Sequence, residues 1–371
     1  MFGKKDPLTA DEAKTLLGAV VDPVWSKPLA EAGMLGDVHV DDARVRVAIT
    51  LPTMAWEGRE GLEQAVRAKL SDHLGRRALE LAWSSDVRPA RPDATSGQNL
   101  VPGAKNILLF ASGKGGVGKS TVATNVASAL AAAGANVGLL DADIYGPSIP
   151  TMFGTRQMPS VATGGAKLVP IQQYGLKLMS IGFVVDPKEA MSWRGPMLNG
   201  ALVQFMRDVD WGELDYLVLD LPPGTGDVQL TIAQNVKVAG AVLVSTPQDV
   251  ALADVIRAKS MFDRVGVPIL GVVENMSAFQ CTSCGTVHHI FAHGGATKLA
   301  KDLGLATLGE IPIELGVREA GDEGKPAVLS RPTSAAAQAL TAVARRVATK
   351  LAVDAASAST KRKAGGLKIV Q

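Results

Sequence analysis

The sequence predicts an α/β fold, a mostly parallel sheet covered by helices on both faces, preceded by a small α+β domain. Three observations carry that prediction. From Asn106 onward, short unbroken apolar runs alternate with helical patterns, which is how strands buried on both faces read. Residues 8–86 show a helical stripe and then strict apolar/polar alternation, the mark of a separate, half-exposed sheet. Between these regions lies a Pro-, Gly- and Ser-containing polar segment.

The first domain, residues 1–86, reads helix, strand, strand, helix, strand. Leu16, Leu17, Val20 and Val21 form the first helical stripe; Val38, Val40, Val45, Val47 and Ile49 alternate as an antiparallel pair, with Asp41-Asp42 at the turn. Gly61 to Leu74 is a second amphipathic helix closed by Gly75, and Ala78 to Ser84 a third strand. Residues 87–105 have the composition of a flexible, partly extended linker. In the second domain, 106–355, the strand candidates are Ile107–Ala111, Val137–Leu140, Leu176–Ile181, Tyr216–Leu219, Ala241–Ser245, Ile269–Val273 and Ala306–Leu308. The last helix spans about Ala335–Val353, and residues 356–371, with Thr360-Lys-Arg-Lys363 and a Gly-Gly pair, read as a basic disordered tail.

Composition narrows the partners. A net charge of +2 gives no bulk attraction for nucleic acid or membrane surfaces. No run approaches the roughly twenty apolar residues of a membrane span, and the Met-Phe-Gly-Lys-Lys-Asp start lacks the apolar core of a signal peptide. The expectation is a cytoplasmic protein with neither nucleic acid nor membrane as partner. Its two cysteines, Cys281 and Cys284, are too close for a long-range staple, and their spacing favours metal binding or redox chemistry.

The chemistry-bearing string is Ser112-Gly-Lys-Gly-Gly-Val-Gly-Lys-Ser-Thr121, set between a strand and the helical pattern Lys119–Ala133. Gly113, Gly115, Gly116 and Gly118, with Lys114 and Val117 between them, let backbone N–H groups converge on phosphate oxygens at the positive end of a helix. Lys119 would reach the β- and γ-phosphates of ATP and Ser120 would offer its hydroxyl to Mg²⁺, with Thr121 beside them. This is the P-loop NTPase arrangement. The string resembles the deviant Walker A motif of the class that includes the nitrogenase iron protein, MinD, ParA and the arsenite-pump ATPases. In that class the early lysine reaches the nucleotide of the other subunit, so the resemblance implies that Lys114 is catalytic across a homodimer.

Acidic residues close two further strands, where ligands bind in an open α/β sheet. Asp220, in Asp220-Leu-Pro-Pro-Gly-Thr-Gly-Asp227, is the candidate Mg²⁺ carboxylate; Asp143 is the candidate for orienting the attacking water, with Asp141 supporting the metal region. Asp227 and Gly224 and Gly226 read as a loop able to move with the γ-phosphate. Asn275, after another strand, is by resemblance a contact to the adenine edge, and by local pattern a turn residue.

Cys281-Thr-Ser-Cys284-Gly285 places two thiolates on a tight turn, half of a four-thiolate shell. His288, His289 or His293 completes it as a zinc site, or a second subunit supplies its own pair around an iron–sulfur cluster. A redox dithiol is the remaining reading.

Taken together, Asp141-Ala-Asp-Ile-Tyr-Gly-Pro-Ser-Ile-Pro150, Arg194-Gly-Pro-Met197, the Asp220–Asp227 string, Glu274-Asn-Met276 and the cysteine pair resemble the Mrp/ApbC iron–sulfur cluster carrier ATPases over about Asn106 to Arg331. The first domain resembles the small metal–sulfur cluster assembly domain, with Val21-Asp22-Pro23 as its helix-end motif. Where relatives of that domain carry a cysteine, this chain has Pro52-Thr-Met-Ala-Trp56, so docking of another protein is the expectation there rather than ligation. The resemblance implies an ATPase that holds a labile [4Fe-4S] cluster between two subunits and passes it to apo iron–sulfur proteins, working with cluster assembly factors. Its rivals are a positioning ATPase of the MinD or ParA kind and a zinc-binding metallochaperone ATPase.

Overall fold

The computed structural model describes residues 8–91, 99–144, 146–162, 165, 167–185, 195–224, 226–292 and 294–365. Two compact units are present, Met1–Val87 and Arg88–Gln371.

In the first unit, helices α1 (Ala10–Gly18), α2 (Leu29–Ala32) and α3 (Arg59–Leu74) accompany strands β1 (Leu35–Val40), β2 (Arg44–Leu51) and β3 (Ala78–Ser85). Thr9 and Glu12 form a capping box that starts α1: the Thr9 hydroxyl accepts from the Glu12 N–H at 3.3 Å, and the Glu12 carboxylate accepts from the Thr9 N–H at 3.0 Å. The β1–β2 turn forms because Asp41 Oδ1 accepts from the Ala43 and Arg44 N–H groups, both at 2.8 Å. β1 and β2 are antiparallel, whereas β3 runs parallel to β2, which requires the α3 crossover. Alternation buries Val45, Val47, Ile49 and Leu51 of β2, and Leu17, Leu62, Val66 and Leu70 of the helices are buried with them. The short α2 has no counterpart among the elements expected from the sequence.

The second unit is built on a nine-stranded sheet of described residues. Its strands are β4 (Ala104–Ala111), β5 (Val137–Asp141), β8 (Ile171–Gln173), β9 (Leu176–Ser180), β10 (Leu214–Asp220), β11 (Val238–Ser245), β12 (Ile269–Gln280), β13 (Val287–His288) and β14 (Thr307–Ile313); β6 (Ser160–Val161) and β7 (Leu168–Val169) pair separately. The order is β13-β12-β11-β4-β10-β5-β9-β8, with β14 also beside β12. Only β8 and β13 are antiparallel to their neighbours. The helices are α4 (Lys119–Ala132), α5 (Ile149–Met152), α6 (Gly195–Arg207), α7 (Asp227–Asn235), α8 (Asp249–Arg264), α9 (Gly295–Asp302), α10 (Leu315–Asp322), α11 (Ala327–Ser330) and α12 (Ala335–Gly365). Central strands β4 and β10 are apolar on both faces, and residues such as Leu109, Leu217, Leu219 and Phe262 join one core.

Several boundaries differ from the sequence reading; β14, expected over Ala306–Leu308, runs Thr307–Ile313. The expected flexible linker is anchored at its start: the buried Asn106 amide accepts from the Ala90 N–H at 2.9 Å and donates to the Arg88 carbonyl at 3.1 Å, because a buried amide requires partners. Residues 92–98 of that linker lie outside the described residues, and β4 begins at Ala104. The last helix continues to Gly365 rather than ending near Val353, so much of the expected tail is helical; no Gly or Pro interrupts Ala335–Ala364. Finally, β12 does not end at Val273 but runs on to Gln280.

Candidate functional site

The phosphate loop leaves the carboxyl end of central strand β4 and enters α4, whose N-cap is Gly118 at φ +79°. Close packing explains two of its glycines. A Cβ on Gly113 would fall 1.9 Å from Asp254 Cβ on α8, and one on Gly118 would fall 2.2 Å from Asn275 Nδ2. Around Gly115 and Gly116 a Cβ would meet nothing within 4 Å, so this side of the loop faces open space, where phosphate oxygens can approach backbone N–H groups.

Lys119 and Ser120 begin α4. Lys119 Nζ donates to Asp220 Oδ1 at 2.5 Å and to Ser120 Oγ at 3.2 Å, with Lys119 6% and Asp220 0% exposed. Parallel pairing of β10 with β4 and β5 puts Asp220 level with Phe110 and Asp141, which brings the carboxylates to the loop. Asp220 Oδ2 is buried with no hydrogen-bond partner. A buried, unpartnered carboxylate oxygen beside a serine hydroxyl is a donor set suited to a hard cation such as Mg²⁺.

Asp141 Oδ1 accepts from the Asp143 N–H at 3.1 Å; its Oδ2 accepts from the Ser148 and Ile149 N–H groups at 3.0 and 3.2 Å and from Ser180 Oγ at 3.1 Å. Its role is therefore to fold the loop that carries Asp143. Burial, with Asp220 nearby, pushes the Asp141 carboxyl up to about 7. Burial also raises Asp143, opposed by Lys119. The Pro222–Gly224 backbone is fixed by Gln229 Nε2, which donates to both the Pro222 and Gly224 carbonyls at 3.0 Å, and by the Gly224 N–H donating to the Ser112 carbonyl at 2.9 Å. Asp227 is the first residue of α7, and Thr225 lies outside the described residues.

Lys114 Nζ donates to Gln248 Oε1 at 3.2 Å, so within one chain the early lysine rests on the residue preceding α8. Asn275 Nδ2 donates to the Val117 carbonyl at 2.9 Å. It is a strand residue, not a turn residue, and its amide nitrogen is committed to the loop. Beside it opens a cavity of about 710 Å³, lined by Thr121, Asn275, Met276, Ile311, Pro312 and Val317 among others. That volume suits a nucleotide base and sugar.

β12 then leads directly to the cysteines. β12 and β13 form a hairpin, pairing Phe279 with His288 and Gln280 with Val287, and the Cys281–Thr286 turn is its tip. The Cys281 N–H donates to the Thr286 carbonyl and the Gly285 N–H to the Cys281 carbonyl, both at 2.9 Å. Cys284 is exposed and Cys281 half-buried. Hydrogen bonding to Thr286 holds the Cys284 thiol below its ordinary pKa. Among the described residues no three His, Cys, Asp or Glu side chains converge on one metal position. His289 contacts the Ser277 carbonyl at 3.2 Å, and His293 lies outside the described residues.

Comparison with known proteins decides the family. Residues 103–348 match the family described as ParA: NUBPL iron-transfer P-loop NTPase. The chain belongs to the iron-transfer P-loop NTPase family. Residues 10–79 match the family of iron–sulfur cluster assembly proteins. This iron-transfer NTPase is 45% identical over 354 residues to an iron–sulfur cluster carrier protein of Synechocystis, covering 94% of this chain and 99% of that one. It is 46% identical over 313 residues to the iron–sulfur cluster carrier protein of Escherichia coli K12, covering 84% and 83%. Among solved structures it resembles a nucleotide-binding protein of Archaeoglobus fulgidus in complex with ADP, at TM-score 0.53 and 41% identity, covering 60% of this chain and 87% of that one. The cell division ATPase MinD of Pyrococcus furiosus, at TM-score 0.50 and 23% identity over 65% of this chain and 98% of that one, shares the fold. The chain is thus a member of the iron-transfer P-loop NTPase family, and its relatives in Synechocystis and Escherichia coli are iron–sulfur cluster carrier proteins.

Its structure brings Lys119, Ser120, Asp220, Asp141 and Asp143 together and leaves the cysteines apart, at the end of β12. Sequence reasoning passed over Gln229 and Gln248. Gln248 follows a strand end, in Thr246-Pro247-Gln248, and position at the carboxyl edge of the sheet was the available signal.

Proposed function

We propose that the chain is an Mg²⁺-dependent ATPase that, as a homodimer, holds a labile [4Fe-4S] cluster between two Cys281/Cys284 pairs and transfers it to apo iron–sulfur proteins in the cytoplasm, working with cluster assembly factors. The observation that carries this reading is the hairpin tip: two thiols, one exposed and one half-buried, project from one chain with no third ligand among the described residues. Two such tips supply the four thiolates of a cubane cluster. Its cysteines are presented where an acceptor protein can reach them.

On the nucleotide side, Ser120 and Asp220 would hold Mg²⁺, which supplies neutralisation of phosphate charge when bound. Lys119 exchanges its contact with Asp220 for the β- and γ-phosphates, and the N–H groups of Gly113–Thr121 cradle them. Asp143, fixed through Asp141, orients the attacking water. Lys114 leaves Gln248 and reaches the nucleotide of the partner subunit, so hydrolysis is tied to assembly. Asn275 and its cavity take the adenine and ribose. No helix among the described residues is long and apolar enough to cross a membrane.

Anaerobic reconstitution tests the reading. The parent protein is expected to gain iron and sulfide and a broad visible absorbance, and Cys281→Ala to gain neither. Equal iron and sulfide in both proteins overturns it, and zinc in place of iron in protein purified without oxygen favours the metallochaperone.

A further inference from the structure

β12 spans the distance between the two halves of the proposed cycle. Its root is locked to the phosphate loop: Asn275 Nδ2 donates to the Val117 carbonyl at 2.9 Å, and Gly118 has no room for a Cβ because that amide stands 2.2 Å from where it would lie. Six residues further on is Cys281. Between them Met276 adopts φ +59°, a conformation that a long side chain adopts at a cost of about 1 kcal/mol or more. At the same place the register against β14 slips, with Asn275 opposite Ile311 and Phe279 opposite Ile313, so four steps on β12 face two on β14.

Beyond this joint the hairpin is hydrogen-bonded to itself. Gln280 Nε2 donates to the Gly285 carbonyl at 3.2 Å, and the hairpin is closed by the Cys281–Thr286 backbone bond and the His289 contact to the Ser277 carbonyl. Before it, Glu274 is wholly buried, and its Oε2 accepts from the Ala296 N–H at 2.7 Å at the start of α9, the helix that follows the hairpin. A hairpin joined to the sheet through one left-handed residue, whose neighbour bonds to the phosphate loop, can shift with that loop, its remaining tie to the sheet being the Phe279–Ile313 pairing with β14.

We propose that Asn275 and Met276 form the joint through which nucleotide at the phosphate loop repositions the Cys281/Cys284 hairpin. Asn275 is a positioning residue here: it acts on the thiols through β12 and touches no cluster. The inference rests on the reading of the chain as an ATP-binding cluster carrier, and it adds the route by which the nucleotide and thiol sites communicate within one subunit.

Hydrogen exchange on full-length, cluster-free protein tests it, with ADP or a non-hydrolysable ATP analogue and Mg²⁺ at saturation. In the parent, nucleotide is expected to slow exchange in residues 112–120 and to change exchange several-fold in residues 277–289. In Asn275→Ala, which also loses the proposed adenine contact and so needs more nucleotide, the hairpin response is expected to be lost at concentrations that bring residues 112–120 to the parent's protection. Met276→Gly, which relaxes the positive φ, is expected to reduce the hairpin response and provides the deciding variant if Asn275→Ala fails to bind. A parent that protects 112–120 with no change in 277–289, or variants that keep the full hairpin response, overturns the proposal. The carrier reading fails separately, if iron loss from reconstituted protein to a chelator proceeds at one rate with and without nucleotide while the hairpin response stands.

Discussion

Lys119 Nζ and Asp220 Oδ1 stand 2.5 Å apart in a buried position, where in the proposed cycle a phosphate and a metal would take over each partner. Both charges are out of water, so each needs the other until ligands arrive. Asp220→Ala is therefore expected to destabilise the nucleotide-free protein by about 3–5 kcal/mol, through an unpaired buried ammonium. Added ADP should recover part of that loss, since its phosphates offer Lys119 a new counter-charge. Urea denaturation with and without ADP measures both effects, and Mg²⁺-dependent ATP hydrolysis in the variant should fall to background.

Gly113 and Gly115 look equivalent in the string, yet their surroundings differ. A methyl at Gly113 meets the α8 side chain and backbone at Asp254, at 1.9 and 2.7 Å, whereas one at Gly115 meets nothing within 4 Å. Gly113→Ala is expected to lower the melting temperature clearly. Gly115→Ala should melt within about 2 °C of the parent, as open surface substitutions do. Nucleotide binding should nevertheless weaken in Gly115→Ala, because its methyl occupies the side open to phosphate. Calorimetry of melting and of ADP binding separates the two.

Asp141, held up to about 7 by burial and by Asp220, gives a pH signature. A carboxyl whose folded pKa lies above its unfolded value binds more protons in the folded state, so its contribution to stability is full below the unfolded pKa and falls as pH rises toward 7. The nucleotide-free parent should thus lose stability from pH 5 to 7 more steeply than Asp141→Asn, by up to about 1.4 kcal/mol per pH unit for one group. Denaturant midpoints across that range check the slope. At pH 5 the variant should be the less stable of the two, because one amide cannot accept all of the Asp143, Ser148 and Ile149 N–H bonds.

Cys284 is exposed and its thiolate is favoured by Thr286. In cluster-free protein, alkylation at Cys284 is expected to reach half-maximal rate below the roughly pH 8.5 of an unperturbed thiol. Thr286→Val should move that midpoint up. Site-resolved mass spectrometry of iodoacetamide adducts against pH provides the measurement.

Much of this protein was legible in its sequence. The phosphate loop, the capping box at Thr9, the Asp41 turn and the alternation of β2 are set by residues within a few positions of one another, and local spacing determines such features. So are the strand-end positions of Asp141 and Asp220 and the paired cysteines on a tight turn. The tertiary structure decided what those groups touch. Lys119 meets Asp220 across 101 residues, Lys114 meets Gln248 across 134, and Asn275 meets Val117 across 158. Each contact exists because strand order places β4 between β10 and β11, with β12 next to β11, so that distant strand ends converge on one edge of the sheet. Asn275 shows the difference most plainly. Its neighbours in sequence suggest a turn, but where pairing with β11 ends at Glu274, β14 pairs with Asn275 and again with Phe279 and keeps the strand going, since strand backbone groups must complete their hydrogen bonds, and the cysteines are carried to the strand's far end.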